Sequence, residues 1–405
     1  MSAWSNLDEP GLDAWSHRQE PANREPLLDA ALASWRAAGA HDLGCEATDP
    51  QAFALWQQQA RSFASECLKF PQSTEADPPR LLERSEGDGT IREEWDIPVT
   101  YPLRASATVV RPAEEFRSLP GILALHSMGS FRLFGRQKFF ESEGDPSTLC
   151  SYRQKNYGGG SLLDDWARRG CVIMAIDAMG FGERTPEAVA QPEAFDSWRR
   201  KCSPVEAADF NDRMGSRIEA DLVRQVEAAC GVAWAGLIVS DDRRCLDFLA
   251  TYEGVDAARL GCVGLSFGAF RANYLAALDD RIRAAVSVCW MSTMEGQIGY
   301  NTRGSLGWFT TANSLFSRMD IPDLGALAAP RAFMAISGID DPLFQPFGIT
   351  SAHLHLRKAF TAAGCPEKLG SLILPGGHHF WPDRRESAWT FLSEHLDAPS
   401  FEKTT

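Results

Sequence analysis

The chain has 405 residues, 44% of them hydrophobic and 23% charged, with a formal net charge of −14. That length and apolar content supply a core that needs no metal or disulfide staple. The acidic balance excludes nucleic acid and anionic membrane as natural partners, because both select a basic face.

The 10 cysteines include no C-x-x-C pair, so neither a zinc ribbon nor a thiol redox motif is written here. Cys171, Cys262 and Cys289 fall in apolar runs, where a thiol behaves as a small hydrophobe. The opening residues lack the basic and apolar regions of a secretory leader, and no apolar run reaches membrane-spanning length. The expectation is a soluble, cytoplasmic protein with reduced thiols and no membrane partner; nothing in the sequence bears on oligomeric state.

Residues 1–75 read as a helical extension. Pro26 to Ala38 places proline in a first turn before apolar residues at helical spacing. A second helix opens with Asp49 as N-cap ahead of Pro50 and runs to about Leu68, with Phe53, Leu55, Trp56, Phe63 and Leu68 as its apolar positions. Such a stripe packs on the main domain, or serves as a lid or an oligomer contact.

Residues 76–405 read as one catalytic domain. Arg80 to Ser85, Thr90 to Val99 and Arg104 to Arg111 alternate with period two between turn residues, which suits the antiparallel start of a sheet. Gly121 to His126 is a continuous apolar run ending in a polar loop, the mark of a fully buried parallel strand. Further strands are expected at Cys171 to Ile176, Leu260 to Val263, Ala284 to Cys289, Ala332 to Ile336 and Leu369 to Leu374. Helices are expected at Leu162 to Arg169, Arg217 to Ala229, Asp241 to Thr251, Ala269 to Leu278, His353 to Ala363 and Arg385 to Leu396. This alternation defines an α/β fold with a mostly parallel, doubly wound sheet. Insertions near 180–216 and 290–328 follow strand C-termini, where open α/β sheets bind ligands.

The chemistry concentrates after Leu260 to Val263. The strand meets Gly264-Leu265-Ser266-Phe267-Gly268 and then a helix, which is the strand–turn–helix setting of the G-x-S-x-G nucleophile elbow of α/β-hydrolases. A serine hydroxyl needs a base, and the base needs a carboxylate to orient it; in this fold they follow in the order Ser, acid, His, each on a loop after a strand. The acid falls in Ser337-Gly338-Ile339-Asp340-Asp341-Pro342, with Asp341 preferred and Asp340 the alternative. The base falls in Pro375-Gly376-Gly377-His378-His379-Phe380, with His378 preferred and His379 its neighbour. An oxyanion needs two backbone donors, expected from Phe267 and from Met128, with Ser127 the alternative in the loop after His126. His126 precedes the triad order and reads as loop-stabilising. His353 and His355 do not share a helix face, so no metal site is expected.

Asp241 to Ala250, Val255-Asp256, Arg259 to Ser266 and Leu278 to Ser287 together resemble the dienelactone-hydrolase-like and acetyl-xylan-esterase-like branch of the α/β-hydrolases, and Ala175 to Arg184 is similar to a loop of the same group. The resemblance spans about Arg104 to Leu396. It implies a serine carboxylic-ester hydrolase with no cofactor, acting on a small-molecule ester through an acyl-enzyme. Two departures stand out: the loop His126-Ser127-Met128-Gly129-Ser130 is less glycine-rich than the His-Gly-Gly forms of the group, and the nucleophile is serine where dienelactone hydrolases use cysteine. Arg184, Trp290, Met291, Trp308 and Phe309 lie in the two insertions as candidate substrate contacts; the aromatics would stack on a sugar, hold an acyl group or fill core, and Arg184 would meet an anion or pair with a carboxylate. The same triad also serves thioester, amide and carbon–carbon bond hydrolases, and a catalytically retired binding protein would lack a triad member.

Overall fold

A single sheet carries the molecule in the computed structural model, with nine strands in the order β1-β2-β3-β5-β4-β6-β7-β8-β9. The structure describes residues 31, 34–39, 41–71, 77–114, 118–129, 131–185, 220–297 and 314–399. The strands are β1 (Arg80–Gly87), β2 (Thr90–Pro98), β3 (Arg104–Pro112), β4 (Leu119–Leu125), β5 (Val172–Ile176), β6 (Val255–Leu265), β7 (Ile282–Val288), β8 (Ala332–Gly338) and β9 (Leu369–Leu374). Strands β1, β2, β3 and β5 pair antiparallel in sequence, whereas β5-β4-β6-β7-β8-β9 run parallel. Strand β4 sits between β5 and β6, so the winding reverses there and opens a crevice at the strand C-termini.

Residues on alternate faces of a strand enter different cores. Leu123 and Leu125 of β4 join one apolar cluster with Met174 and Cys262, while Ile122 and Ala124 join another with Ile173 and Val263. All seven residues of β4 are buried, as a continuous apolar run requires of a strand covered on both faces. Strand β1 is the opposite case, exposed along its length and rich in charge, which suits a sheet edge.

Helix α1 (Pro50–Leu68) starts where the sequence placed it: the Asp49 carboxylate accepts the Ala52 N–H at 2.9 Å, satisfying a donor that the helix itself leaves unpaired. It packs on the main core. Phe53, Trp56, Ala60 and Ala64 are buried, Gln57 donates to the Leu327 and Ala329 carbonyls, and Arg61 donates to the Leu327 carbonyl. Leu55 departs from expectation, 59% exposed on the outer face. Of the preceding helix expected at Pro26 to Ala38, only its C-terminal end falls within the described residues.

Further helices are α2 (Ser147–Tyr157), α3 (Leu162–Arg168), α4 (Trp234–Thr251), α5 (Phe267–Leu278), α6 (Ile321–Ala326), α7 (Pro346–Ala362) and α8 (Pro382–His395), with additional helical segments at Leu315–Arg318 and Ala220–Ala229. Helix α4 begins seven residues before the expected Asp241, because its first turns are buried on every side and carry no polar stripe to mark a period. It crosses α1 closely: a Cβ on Gly236 would lie 2.0 Å from the Leu68 carbonyl oxygen. A buried pair, Arg271 Nε and Nη2 to the Asp242 carboxylate at 2.9 and 2.5 Å, ties α5 to α4. Among the described residues, no single helix is long and apolar enough to cross a membrane.

Candidate active site

Ser266 stands between β6 and α5 at φ 59° and ψ −115°, a conformation that costs an L-residue strain and persists only where the surroundings enforce it. Two hydrogen bonds and two close backbone approaches enforce it here. The Ser266 N–H donates to the Val288 carbonyl at 2.8 Å, and its carbonyl accepts the Phe270 N–H at 3.0 Å. The flanking glycines let the chain fold back on itself: a Cβ on Gly264 would meet the Gly268 carbonyl carbon at 2.2 Å, and one on Gly268 would meet the Leu125 carbonyl oxygen at 1.8 Å. Both glycines of the motif are therefore required by space, and Gly268 presses α5 against the end of β4. Phe267 is the first residue of α5, at the positive end of its dipole.

The two loops expected to hold the acid and the base meet. His378 Nδ1 and Asp341 Oδ2 are 2.6 Å apart, with Asp341 buried and His378 half-buried. The other Asp341 oxygen accepts the Leu343 N–H at 3.0 Å. A carboxylate that accepts at Nδ1 fixes the imidazole as the tautomer whose Nε2 carries the lone pair. The neighbouring residues have separate tasks. The Asp340 carboxylate accepts the Gly376 N–H at 3.0 Å while the Asp340 N–H donates to the Gly376 carbonyl at 3.1 Å, which clamps the β8 loop to the β9 loop. His379 is buried and stacks on Trp381 at 3.9 Å; burial, with the cation of Arg384 nearby, pushes it down to about 4.

Beneath these loops lies a residue the sequence did not single out. Arg384, fully buried in α8, donates through Nη1 to the Gly377 and His379 carbonyls, both at 2.9 Å, and through Nη2 to the Pro375 carbonyl at 3.1 Å. It braces the loop that carries His378. An arginine in the first turn of a helix ordinarily reads as a solvated side chain, so no local signal marked it.

Ser266 shares the sheet edge with this pair, since β6, β8 and β9 are parallel members of one run. The link between them is Cys289. It follows Val288, which accepts the Ser266 N–H, and donor atoms of Cys289, Asp341 and His378 all lie within 4.8 Å of one another. Those three could in principle hold a cation. Arg384 Nη1 already lies 3.2 Å from Cys289 Sγ, however, which sets a fixed cation against the cluster, and burial pushes the thiol up to about 12.

The loop after β4 is fully engaged on one side. His126 is buried with both nitrogens filled: Nε2 accepts the Ala178 N–H at 3.1 Å, and Nδ1 lies 3.0 Å from the Ser127 carbonyl. Burial, with Lys138 and Arg271 nearby, holds it well below its ordinary value. The Ser127 N–H donates to Tyr157 Oη at 3.1 Å, leaving Met128 as the next backbone donor along the loop. Gly129 at φ 54° admits no side chain, since a Cβ would fall 2.0 Å from Tyr152 Oη. Ser130 lies outside the described residues.

The expected substrate contacts fare differently. Arg184 is buried, its Nη2 2.8 Å from Asp241 Oδ2 and its Nη1 donating to the Asp177 carbonyl at 3.2 Å, so this side chain serves the fold. Trp290 and Met291 are buried core residues, with Trp290 edge-on to Phe270 at 5.4 Å. Trp308 and Phe309 lie outside the described residues, as does most of the 180–216 insertion.

No family model matches the chain. A curated protein of Bacillus subtilis (strain 168), provisionally named hydrolase YtaP, is 23% identical over 317 residues, 78% of this chain and 91% of that one. Among solved structures, a provisionally assigned acetyl xylan esterase from Bacteroides fragilis NCTC 9343 superposes with a TM-score of 0.64 at 18% identity, covering 85% of this chain and 81% of that one. The methylesterase BT1017 gives a TM-score of 0.58 at 18% identity, covering 94% and 70%. The glucuronoyl esterase from Solibacter usitatus gives 0.57 at 14% identity, covering 87% and 96%. With its reversed winding at β4, its parallel run and a strained serine after β6, the chain has the α/β-hydrolase fold, and its structural neighbours are esterases of that type.

Proposed function

We propose that the protein is a serine carboxylic-ester hydrolase acting by a Ser266–His378–Asp341 triad through an acyl-enzyme. The observation that carries this reading is the 2.6 Å contact between His378 Nδ1 and Asp341 Oδ2, on the sheet edge that also bears the strained Ser266. In the proposed reaction His378 Nε2 accepts the Ser266 hydroxyl proton as Oγ attacks the ester carbonyl. The carbonyl π pair moves to oxygen, and the backbone N–H groups of Phe267 and Met128 receive the oxyanion. Collapse of the tetrahedral intermediate returns the proton from His378 to the leaving alkoxide, releasing the alcohol. Water then repeats the sequence on the acyl-enzyme, and the acid departs. Asp341 holds the imidazole in the productive tautomer and stabilises its cationic form. The name of one neighbour, a provisionally assigned acetyl xylan esterase, supports an acetyl or other short acyl group as the part transferred.

The test compares wild type with Ser266→Ala on acetylated sugars, short-chain aryl esters, acyl thioesters, an anilide and a β-diketone. Turnover of the esters should fall by on the order of a thousandfold or more in the variant. Undiminished ester hydrolysis by Ser266→Ala would remove the serine from the mechanism. Preferential turnover of thioester, anilide or diketone by wild type would keep the triad and change the bond.

A further inference from the structure

A lysine lies buried beneath the loop that carries Met128, and nothing in the triad accounts for it. Lys138 is fully buried, and its Nζ donates to the Ser127 carbonyl at 2.7 Å and to the Met128 carbonyl at 3.1 Å. Nζ also lies over the rings of Tyr152 at 5.1 Å and Phe181 at 5.0 Å. Among the described residues it makes no ion pair with a carboxylate. Burying an ammonium is costly, and burial together with Arg132 drives this one well below its ordinary value. The nearby Asp177 carboxylate opposes that trend, as do the two carbonyls and two ring faces.

The position of the lysine is itself well built. The 3₁₀ turn Arg136–Phe139 is anchored by the buried Asp177 carboxylate, which accepts the Arg136 N–H at 2.7 Å and Arg136 Nη1 at 2.6 Å. Gly135 permits that approach, since a Cβ there would fall 2.3 Å from Asp177 Oδ1. Asp177 directly follows β5, the strand beside β4, so Lys138 is indexed to the sheet and held below the loop.

The chemical point is which carbonyl it touches. The Ser127 carbonyl and the Met128 N–H belong to the same peptide group. A donor on the oxygen fixes the plane of that group and draws electron density from its nitrogen, making the N–H a stronger donor. Tyr157 Oη, accepting the Ser127 N–H, holds the preceding peptide in place as well. We propose that Lys138 is a positioning residue for the oxyanion hole, fixing and polarising the Ser127–Met128 peptide so that the Met128 N–H meets the developing oxyanion. This rests on the reading of Met128 as the second oxyanion donor.

The experiment uses Lys138→Met, which keeps length and removes the donor, and Lys138→Gln, which keeps a neutral donor. Each is measured for kcat and KM on an aryl acetate, and for the inhibition constant of an aryl boronic acid, whose tetrahedral serine adduct places a negatively charged oxygen in the hole. Thermal unfolding checks that each variant is folded. Loss of a single oxyanion donor costs roughly a hundred- to a thousandfold in kcat, and a weakened donor should cost about ten- to a hundredfold. Lys138→Met is therefore expected to lower kcat by about ten- to a hundredfold with KM within about threefold, and to raise the boronate constant by a similar factor, with Lys138→Gln between it and wild type. A folded Lys138→Met with unchanged kcat overturns the assignment, as does a fall in kcat with no matching change in boronate binding. If Lys138→Met does not fold, Lys138→Gln is judged by the same two criteria. Ser266→Ala in the same assay separates the levels: its full activity would remove the triad, whereas its inactivity beside undiminished Lys138 variants would remove only the lysine.

Discussion

Two histidines end up after parallel strands of this sheet, with β6, β7 and β8 between them, and their ring nitrogens are spent differently. His126, after β4, has both ring nitrogens occupied by the backbone, at Ala178 and Ser127, and no water reaches it. His378, after β9, has Nδ1 on the Asp341 carboxylate and is half-buried. A neutral imidazole has one donor and one acceptor; spending both on the main chain makes a structural post. Spending only the donor, and on a carboxylate, leaves the acceptor for the proton of a nucleophile and stabilises the cation that results. Residue type does not distinguish the two; the partner on the second nitrogen does.

The largest expected effect tests that contrast within one dipeptide. His378→Ala should lower kcat/KM on an aryl acetate by on the order of a thousandfold or more, while His379→Ala, which removes a ring stacked on Trp381, should stay within about tenfold of wild type. Equal losses would erase the distinction. Next come the two acids. Asp341→Asn should cost about a hundred- to a thousandfold in kcat, because an amide in its place disturbs the tautomer of His378, whereas Asp340→Asn loosens a loop clamp and should cost less than about tenfold.

Histidines with both nitrogens filled carry a stability cost in acid. His353 is buried between the Ser337 and Ser371 hydroxyls at 2.9 and 2.8 Å, and burial lowers it to about 3. Its folded value lies below the unfolded one, so the unfolded chain binds the proton first. Its contribution is complete above about pH 6.5 and is lost as pH falls towards 3. Urea unfolding at pH 7 and pH 4.5 should differ by on the order of 2 kcal/mol on this account, and His353→Asn should flatten that slope whatever it does to stability at pH 7. An identical slope in the variant would assign the acid loss elsewhere. The smallest effect concerns the loop held by His126 and its neighbours. Tyr157→Phe removes the acceptor of the Ser127 N–H and should lower kcat about three- to tenfold, with a stability loss of about 1 kcal/mol.

The fold was written plainly in the sequence where periodicity and burial agree. Leu369–Leu374 is a strand with the expected bounds, and β4 and β5 differ from expectation by two residues or fewer at each end. Elements without a period were missed. Helix α2 reads Ser-Thr-Leu-Cys-Ser-Tyr-Arg-Gln-Lys-Asn-Tyr, with only Leu149, Arg153 and Tyr157 buried, and so offers too weak a stripe to register. Helix α6 lay inside a stretch taken as an insertion, although Asp320 and Asp323 form a capping box around Ile321-Pro322. At the candidate site, the loops that carry Ser266, Asp341 and His378 were legible because each follows a strand with a clear apolar run, and the Asp341–His378 contact joins two of them. Lys138 and Arg384 were not, because a lone cation in sequence reads as surface and only the three-dimensional structure reveals that it serves backbone carbonyls. For Arg184 and Trp290 the sequence offered both a ligand contact and a structural role, and the structure shows the latter: one is an ion-paired strut and the other is core.

The most direct test of the central claim is labelling of the folded protein with an aryl fluorophosphonate, followed by peptide mass mapping. One adduct is expected, on the peptide containing Ser266, absent in Ser266→Ala and formed at least about a hundredfold more slowly in His378→Ala. A folded protein that takes up no label, or a label on another residue that forms at the wild-type rate in both variants, would contradict it.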